Sequence, residues 1–393
     1  MGVASIDLCK ALDSGSHALL LQKLENRGLS GRCLKWLQSY LTQRTQQVRF
    51  NEHTSEKIEV LSGVPQGSVL GPILFIAFTS DLVDHLGDEC IVKAYADDTQ
   101  LLVGGKNQQE VKEKLEKAIN RAQQWFSNNS LLINPTKTEI MMLGKKSKEG
   151  ITTTIDVKEG DTTVPLRLET QIKILGVTID DQLTWKPHVK QVKKRATNVI
   201  RNLARASEFL PPQSRRILYD SLVAPHFSYA DVVWDGCLKE QQQDLQRAHN
   251  FAARVICRTS KYSSATAALE KLGMVPLVEK RKMHQVVMAH KLINGKGPHG
   301  LRRKFGKVKP TTSVNQEGNV SSRLRSRSRM HIPPTQHSSA RFERSTVHRM
   351  SKAWNSVSID NRKIEDQSKF KAAIQRELTC AYWGRSINLS RPW

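Results

Sequence analysis

No Cys-x-x-Cys pair and no zinc-knuckle spacing occurs in this chain of 393 residues, whose six cysteines stand apart at positions 9, 33, 90, 237, 257 and 380. A structural zinc site is therefore not expected, and the pattern reads as reduced thiols in an intracellular protein, nuclear or cytoplasmic. The chain also lacks a bilayer-spanning run: its longest apolar stretch, VLGPILFIAF at 69–78, falls well short of the about 20 residues a helix needs. No basic segment precedes an apolar one at the N-terminus, so secretion is not expected and no membrane partner is implied. Acidic residues are scarce against basic ones, 37 to 61, giving a formal net charge of +24. That balance favours a polyanionic partner, nucleic acid ahead of a membrane surface. No internal repeat is present, and the length allows two or three domains with real cores.

Against this background, VKAYADDTQLLV (92–103) places two adjacent carboxylates inside an apolar run. Val92, Ala94 and Ala96 alternate with Lys93 and Tyr95, and Leu101, Leu102 and Val103 resume the apolar pattern, so two short strands around a tight turn are predicted. One reading of Asp97 and Asp98 is an ordinary hairpin tip, because Asp bonds its own backbone in turns. The other is a divalent-metal site, since Mg2+ prefers hard oxygen ligands and is often held by one or two carboxylates plus substrate phosphates.

The surrounding elements follow from periodicity. VASIDL (3–8) reads as a strand and 16–41 as two helices broken by RGLSG. TQQVRF and KIEVL, between Thr45 and Leu61, predict a polar-faced hairpin. An apolar helix follows from about Val69 to Leu86, with Pro72 in its first turn, where a missing N–H costs least. Val111, Leu115, Ala118, Ile119, Ala122, Trp125 and Phe126 fall at i, i+3, i+4 spacing and predict a core-facing helix over about 108–126. KTEIMML closes the set as a strand near Leu143. This order resembles a split βαβ sheet with helices on one face, which would bring the end of the first strand beside the central hairpin turn.

After a polar stretch at 145–168, QIKILGVTID reads as another strand or hairpin. From Lys186 to about Asn294 the pattern turns helical, with Leu245, Ala248, Ala252, Val255 and Ile256 on one face and Leu218, Leu222 and Val223 on part of another. Residues 295–350 carry 13 Lys and Arg against 2 acidic residues, with Arg323, Arg325, Arg327 and Arg329 in RLRSRSR. They read as a solvated linker, as a segment that contacts phosphates, or as both. Trp354, Phe370 and Leu378 predict a small helix in the tail.

Two further segments give the acidic hairpin company. Asp7 ends the first strand in SIDLCKALD, and LSGVPQGSVLGPILF (61–75) sets Gly63, Pro65, Gly67 and Gly71 in a turn that feeds a helix, backbone able to approach a nucleotide closely. These segments precede Tyr95-Ala96-Asp97-Asp98, and LGVTID, LTWKPHV and AWNSV follow it. In that order they make the chain resemble, over roughly residues 3–180, the reverse transcriptases of non-long-terminal-repeat (non-LTR) retrotransposons of the jockey-like and chicken-repeat-like LINE type.

The resemblance implies an α+β fold: a reverse-transcriptase palm, built as a split βαβ antiparallel sheet with helices on one face, then an all-α thumb-like domain and a basic tail. The expected divisions are a palm over 1–148, a primer-grip-like strand region over 149–185, a helical thumb over 186–294, the basic segment over 295–350 and a C-terminal helical segment over 351–393. The implied activity is RNA-directed DNA polymerisation, with an RNA template, a DNA primer and deoxynucleoside triphosphates as partners. Asp7, Asp97 and Asp98, with the backbone carbonyl of Leu8, match the positions that hold two Mg2+ ions. Pro65, Gln66 and Gly67 match the loop beside the templating base and incoming nucleotide, with Tyr95 near them. Lys137 matches a general acid for the pyrophosphate, its alternative being a surface lysine at a strand start.

Two departures stand out. Leu12 occupies the place of the usual Phe or Tyr that excludes a ribonucleotide's 2′-hydroxyl. Only six residues precede Asp7, where the family has a fingers segment and an upstream endonuclease; a C-terminal piece of a longer element is expected, its first strand left uncovered or as a bare edge. A catalytically inactive remnant that only binds nucleic acid is the alternative. A palm-fold nucleotide cyclase would also use two aspartates and metals, but the GVPQG segment and the downstream helices argue against it.

Overall fold

The computed structural model describes residues 1–144, 154–159, 162–305, 332 and 340–384; Arg323, Arg325, Arg327 and Arg329 lie outside them. The chain divides into two compact units, Met1–Leu183 and Thr184–Trp393.

The first unit is built on strands β1 (Gly2–Ile6), β2 (Ile91–Tyr95), β3 (Asp98–Val103) and β4 (Glu139–Met142). They form one sheet in the order β4-β1-β3-β2, every neighbouring pair antiparallel. The unit's longer helices are α1 (His17–Asn26), α2 (Gly31–Leu41), α3 (Gly71–Thr79) and α4 (Gln108–Asn128). Strand alternation sends Ala4, Ile6, Leu101 and Val103 to one face. There they pack with Leu74, Phe75 and Phe78 of α3 and with all seven apolar residues of the α4 stripe. Val3 and Met141 point to the other face and meet Ile172. The first strand is not left bare as expected: β1 lies between β4 and β3 with Val3, Ala4 and Ile6 buried, and the exposed edge is β2.

Ile172 belongs to a hairpin of β7 (Gln171–Ile174) and β8 (Val177–Asp180). Its two-residue turn, Leu175 and Gly176, has positive φ at both positions (46° and 82°), as a tight hairpin requires. Another hairpin, β5 (Thr154–Glu159) with β6 (Thr162–Arg167), occupies the stretch read as merely polar, and Ile155 and Val157 bury into the main core. The hairpin between Thr45 and Leu61 is present as Arg44–Gln46 paired with Ile58–Val60 and Arg49–Phe50 with His53–Thr54. Its apolar residues Val48, Phe50 and Ile58 are exposed along with the polar ones.

The helix expected to reach Leu86 stops at Thr79 and resumes as a short Leu82–Leu86 helix. The cause is a cation from α1. Lys23 Nζ donates to the Phe78 carbonyl and to the Asp81 carboxylate, both at 2.8 Å, and Arg27 Nη1 donates to the Ala77 carbonyl at 3.0 Å. Those bonds serve carbonyls that a helix C-terminus leaves unpaired. The Lys23 ammonium also lies 4.6 Å from the Phe78 ring centroid and 4.5 Å from that of Trp125.

The second unit is helical among the described residues. Its longer helices are α5 (Lys186–Ala206), α6 (Lys239–Cys257), α7 (Leu277–Ile293), α8 (Thr346–Asn355) and α9 (Gln367–Trp383). Leu245, Ala248, Ala252 and Ile256 of α6 are buried as their spacing predicts. Leu222 is exposed instead, because Tyr219–Val223 winds as a π turn that faces Tyr219 and Val223 inward. The tail packs into this unit: Trp354, Phe370, Ile374 and Leu378 join Met283, Val286 and Ala289 of α7. All six cysteines are free, and no helix among the described residues is long and apolar enough to cross a membrane.

Candidate active site

Asp7 stands where β1 ends. The last β1–β3 pair is Ile6 with Thr99, and the next step of that register sets Asp7 opposite Asp98. The backbone there is held from both sides: the Asp7 carbonyl accepts the Asn134 N–H at 2.8 Å, and Leu8 and Cys9 pair with Ile133 and Leu132. Leu8 itself is buried.

The Asp97-Asp98 pair sits on the hairpin of β2 and β3. Tyr95 pairs with Asp98, leaving Ala96 and Asp97 as the turn, and Ala96 adopts φ 52°. An L-residue held in left-handed backbone costs about 1–2 kcal/mol, a strain the paired strands impose. Buried Thr99 and Gln100 follow immediately, so the turn rises from packed sheet. Asp97 and Tyr95 are exposed, and Asp98 is half-buried. Burial first, then the negative charges of Asp97 and Asp7, push the Asp98 carboxyl above the ordinary aspartate range. The charges of Asp97 and Asp7 therefore bear on Asp98 at the end of the sheet.

Lys137 reaches the same place from the segment before β4. Its Nζ lies 3.5 Å from Asp7 Oδ2, the lysine side chain being largely exposed. Asp7 Oδ2 is enclosed and accepts no hydrogen bond. Among the described residues no group of three His, Cys, Asp or Glu side chains is drawn together as a ready metal cage. In donor type and charge the site nevertheless fits a divalent cation: hard oxygens, negative charge bearing on Asp98 that a cation would relieve, and an enclosed Asp7 oxygen without a hydrogen bond.

The glycine-rich loop is tied to the segment that follows Asp7. Val64 N–H donates to the Leu12 carbonyl and Gly63 N–H to the Gly15 carbonyl, each at 2.7 Å. Ser62 Oγ donates to the Asp13 carbonyl at 2.7 Å, and His17 Nε2 meets the Gly63 carbonyl at 2.7 Å. A Cβ on Gly63 would fall 2.4 Å from the Leu12 oxygen, so only glycine permits this approach. Pro65 is half-buried, while Gln66 and Gly67 are exposed, Gly67 at φ 79° with open space around it. Leu12 is half-buried, packs against the main core, and borders a small apolar cavity with Leu20, Phe75 and Phe78.

Residues 2–179 match the family described as reverse transcriptase (RNA-dependent DNA polymerase). This segment is a reverse transcriptase domain of the non-LTR retrotransposon kind. The chain is 28% identical over 319 residues to a probable RNA-directed DNA polymerase from transposon BS of Drosophila melanogaster, covering 76% of this chain and 35% of that protein. It is 25% identical over 344 residues to the RNA-directed DNA polymerase from mobile element jockey of the same fly, covering 84% and 36%. Against the probable RNA-directed DNA polymerase from transposon X-element of that fly the identity is 24% over 285 residues, covering 71% and 31%. The chain thus spans about a third of the length of these relatives. A telomerase structure from Candida albicans, solved with a fragment of telomeric RNA, aligns at a TM-score of 0.31 and 14% identity over 72% of this chain and 47% of its own.

Within the reverse transcriptase domain, sequence reasoning passed over Asp13 and His17 as partners of the glycine-rich loop. A signal existed for Asp13, a second acid six residues past Asp7, but nothing local points to the carbonyl that His17 reaches 46 residues away.

Proposed function

We propose that this chain is the polymerising part of a retrotransposon RNA-directed DNA polymerase, which adds deoxynucleotides to a DNA primer on an RNA template. The observation that carries the reading is the convergence of Asp7 with the strained Ala96-Asp97 turn, where burial and the charges of Asp97 and Asp7 push the Asp98 carboxyl up. The antiparallel sheet of the first unit would be the palm, the β7–β8 hairpin the primer grip and the helical unit the thumb.

Asp7, Asp97, Asp98 and the Leu8 carbonyl would hold two Mg2+ ions. When bound, such ions supply charge neutralisation at the attacking and leaving oxygens of phosphoryl transfer. The chain's own residues do the rest. Lys137, which rests beside Asp7, would give a proton to departing pyrophosphate. The exposed tip of Gln66 and Gly67, with Pro65 behind it, would contact the templating base and incoming nucleotide, with Tyr95 on the neighbouring turn. Leu12 would border the sugar; as a smaller residue than Phe or Tyr, it predicts weaker exclusion of ribonucleotides. Helix α5 supports nucleic-acid contact: it contains no acidic residue, and Lys186, Lys190, Lys194, Arg201 and Arg205 form an exposed cationic stripe along it.

The test is primer extension by the purified chain on an RNA template with a DNA primer and Mg2+, beside Asp97→Asn. Extension abolished in the variant is expected. A folded, RNA-binding chain that extends nothing would make it an inactive remnant of the family.

A further inference from the structure

We infer that Asp13 is a positioning residue that fixes the amide of Gln66 with its carbonyl oxygen turned toward the nucleotide. This rests on the polymerase reading above and deepens it. Gln66 Nε2 donates to Asp13 Oδ1 at 2.7 Å. An ionised carboxylate only accepts, so of the two ends of the Gln66 amide only the nitrogen can face it. Oε1 must then point away, so the amide turns its acceptor outward and keeps only the second Nε2 hydrogen to donate.

Asp13 is itself held in place. Its own carbonyl and those of Leu12 and Gly15 each receive a bond at 2.7 Å from Ser62–Val64, and the close approach of Gly63 leaves the two segments no room to slide. The loop that bears Gln66 and the segment that follows Asp7 therefore form one piece, and the side-chain bond at its exposed end sets the direction of the amide.

The chemistry of what meets Oε1 follows. The partner must donate, which selects a sugar hydroxyl or an exocyclic amine of a nucleotide. Phosphate oxygens are excluded, because they only accept and the Asp13 charge repels them. Gln66 thus faces the sugar-and-base end of the incoming nucleotide, leaving its phosphates to the cationic side of the site at Lys137.

The experiment compares the full chain with Asp13→Ala, Asp13→Asn, Gln66→Ala and the Asp13→Ala/Gln66→Ala pair in single-nucleotide incorporation. Amide hydrogen exchange over 62–68 is followed in parallel. Asp13→Ala should raise KM for the deoxynucleotide about five-fold, the scale of one lost hydrogen bond at a partly solvated site, with kcat within about two-fold of wild type. Asp13→Asn keeps a hydrogen bond but, able to donate or accept, lets either end of the Gln66 amide face it, so it should raise KM by only about two-fold; Asp13→Ala should add nothing in the Gln66→Ala background. Exchange at 66–68 should quicken in Asp13→Ala. Unchanged KM, additive effects, or equal losses in the Asn and Ala variants would overturn the assignment. Unchanged exchange would overturn the anchoring itself, without reference to catalysis. If wild type incorporates nothing, the polymerase reading fails and takes the nucleotide-facing role with it, whereas the exchange result still reports on the Asp13–Gln66 bond.

Discussion

Gly63→Ala and Gly67→Ala form a matched pair that tests how tightly the glycine-rich loop is locked. Both glycines have left-handed backbone, φ 80° and 79°, so each alanine carries the same conformational cost of about 1–2 kcal/mol. Their surroundings differ. A Cβ on Gly67 meets nothing within 4 Å, whereas one on Gly63 would lie 2.4 Å from the Leu12 oxygen and 2.5 Å from the Asp13 Cα. Both obstacles are backbone, so relief means separating the two segments and weakening the bonds from Gly63 and Val64 to Gly15 and Leu12. Overpacking of this kind costs about 1–3 kcal/mol more. Gly67→Ala should lose about 1–2 kcal/mol, and Gly63→Ala about 2–5. For a unit of this size each kcal/mol moves Tm by about 2–4 °C, so a gap of roughly 2–12 °C between the variants is expected in differential scanning calorimetry. Equal losses would refute the reasoning, since they would mean the loop does not press on the segment after Asp7.

The remaining predictions concern charge. Mg2+ at about ten times its dissociation constant should stabilise the wild type by about 1.4 kcal/mol, and a thermal shift that persists in Asp7→Asn would put the ion elsewhere. Because the Asp98 carboxyl is raised, its folded-state penalty grows as pH rises from the ordinary 3.8 through the elevated value. Without divalent cations Asp98→Asn should therefore be the more stable protein at pH 7, with that advantage gone below pH 3.8; urea melts at both pH values would reveal the opposite order if the trio does not repel. In the helical unit, Asp235 is buried against Arg281 at 3.5 Å and also takes bonds from Gln285 and Arg349. Asp235→Ala should cost about 3–5 kcal/mol in chemical denaturation, and a loss below 1 kcal/mol would mean that Arg281 finds other solvation. Replacing Arg323, Arg325, Arg327 and Arg329 with Gln should flatten the salt dependence of RNA binding by about 0.7 for each phosphate no longer neutralised, and an unchanged slope would mean that these arginines do not touch the RNA backbone.

Local periodicity carried the long elements. The α4 stripe was legible because one face of a 21-residue helix packs against a single sheet, so every apolar position at helical spacing is buried. The end of α3 was not legible. No Gly or Pro marks Thr79, and the stop depends on Lys23 and Arg27, which lie 50 or more residues earlier in the chain. The β5–β6 hairpin was missed for a related reason: Ile155 and Val157 are two apolar residues in a polar stretch, and only the distant helix that their strand meets, α4, makes them core. Trp354, Phe370 and Leu378 marked a packed tail, but not that α7 would be its partner.

The candidate site divides along the same line. Asp97 and Asp98 stand out by residue type in an apolar run, Asp7 joins them through what the family resemblance implies, and the strand order that sets the end of β1 beside the central hairpin follows from a split βαβ reading. What binds the parts is backbone carbonyls, and these leave no trace in residue identity. The carbonyls of Asp7, Leu12, Asp13, Gly15 and Gly63 all accept hydrogen bonds from distant residues, so substituting their own side chains does not remove those acceptors. Sequence shows such contacts only where they forbid a side chain, as at Gly63, or where a polar side chain answers across the gap, as Gln66 does to Asp13. A glycine whose replacement meets backbone is therefore the more informative member of GVPQG for the architecture, and the glutamine two positions after Val64 for the chemistry.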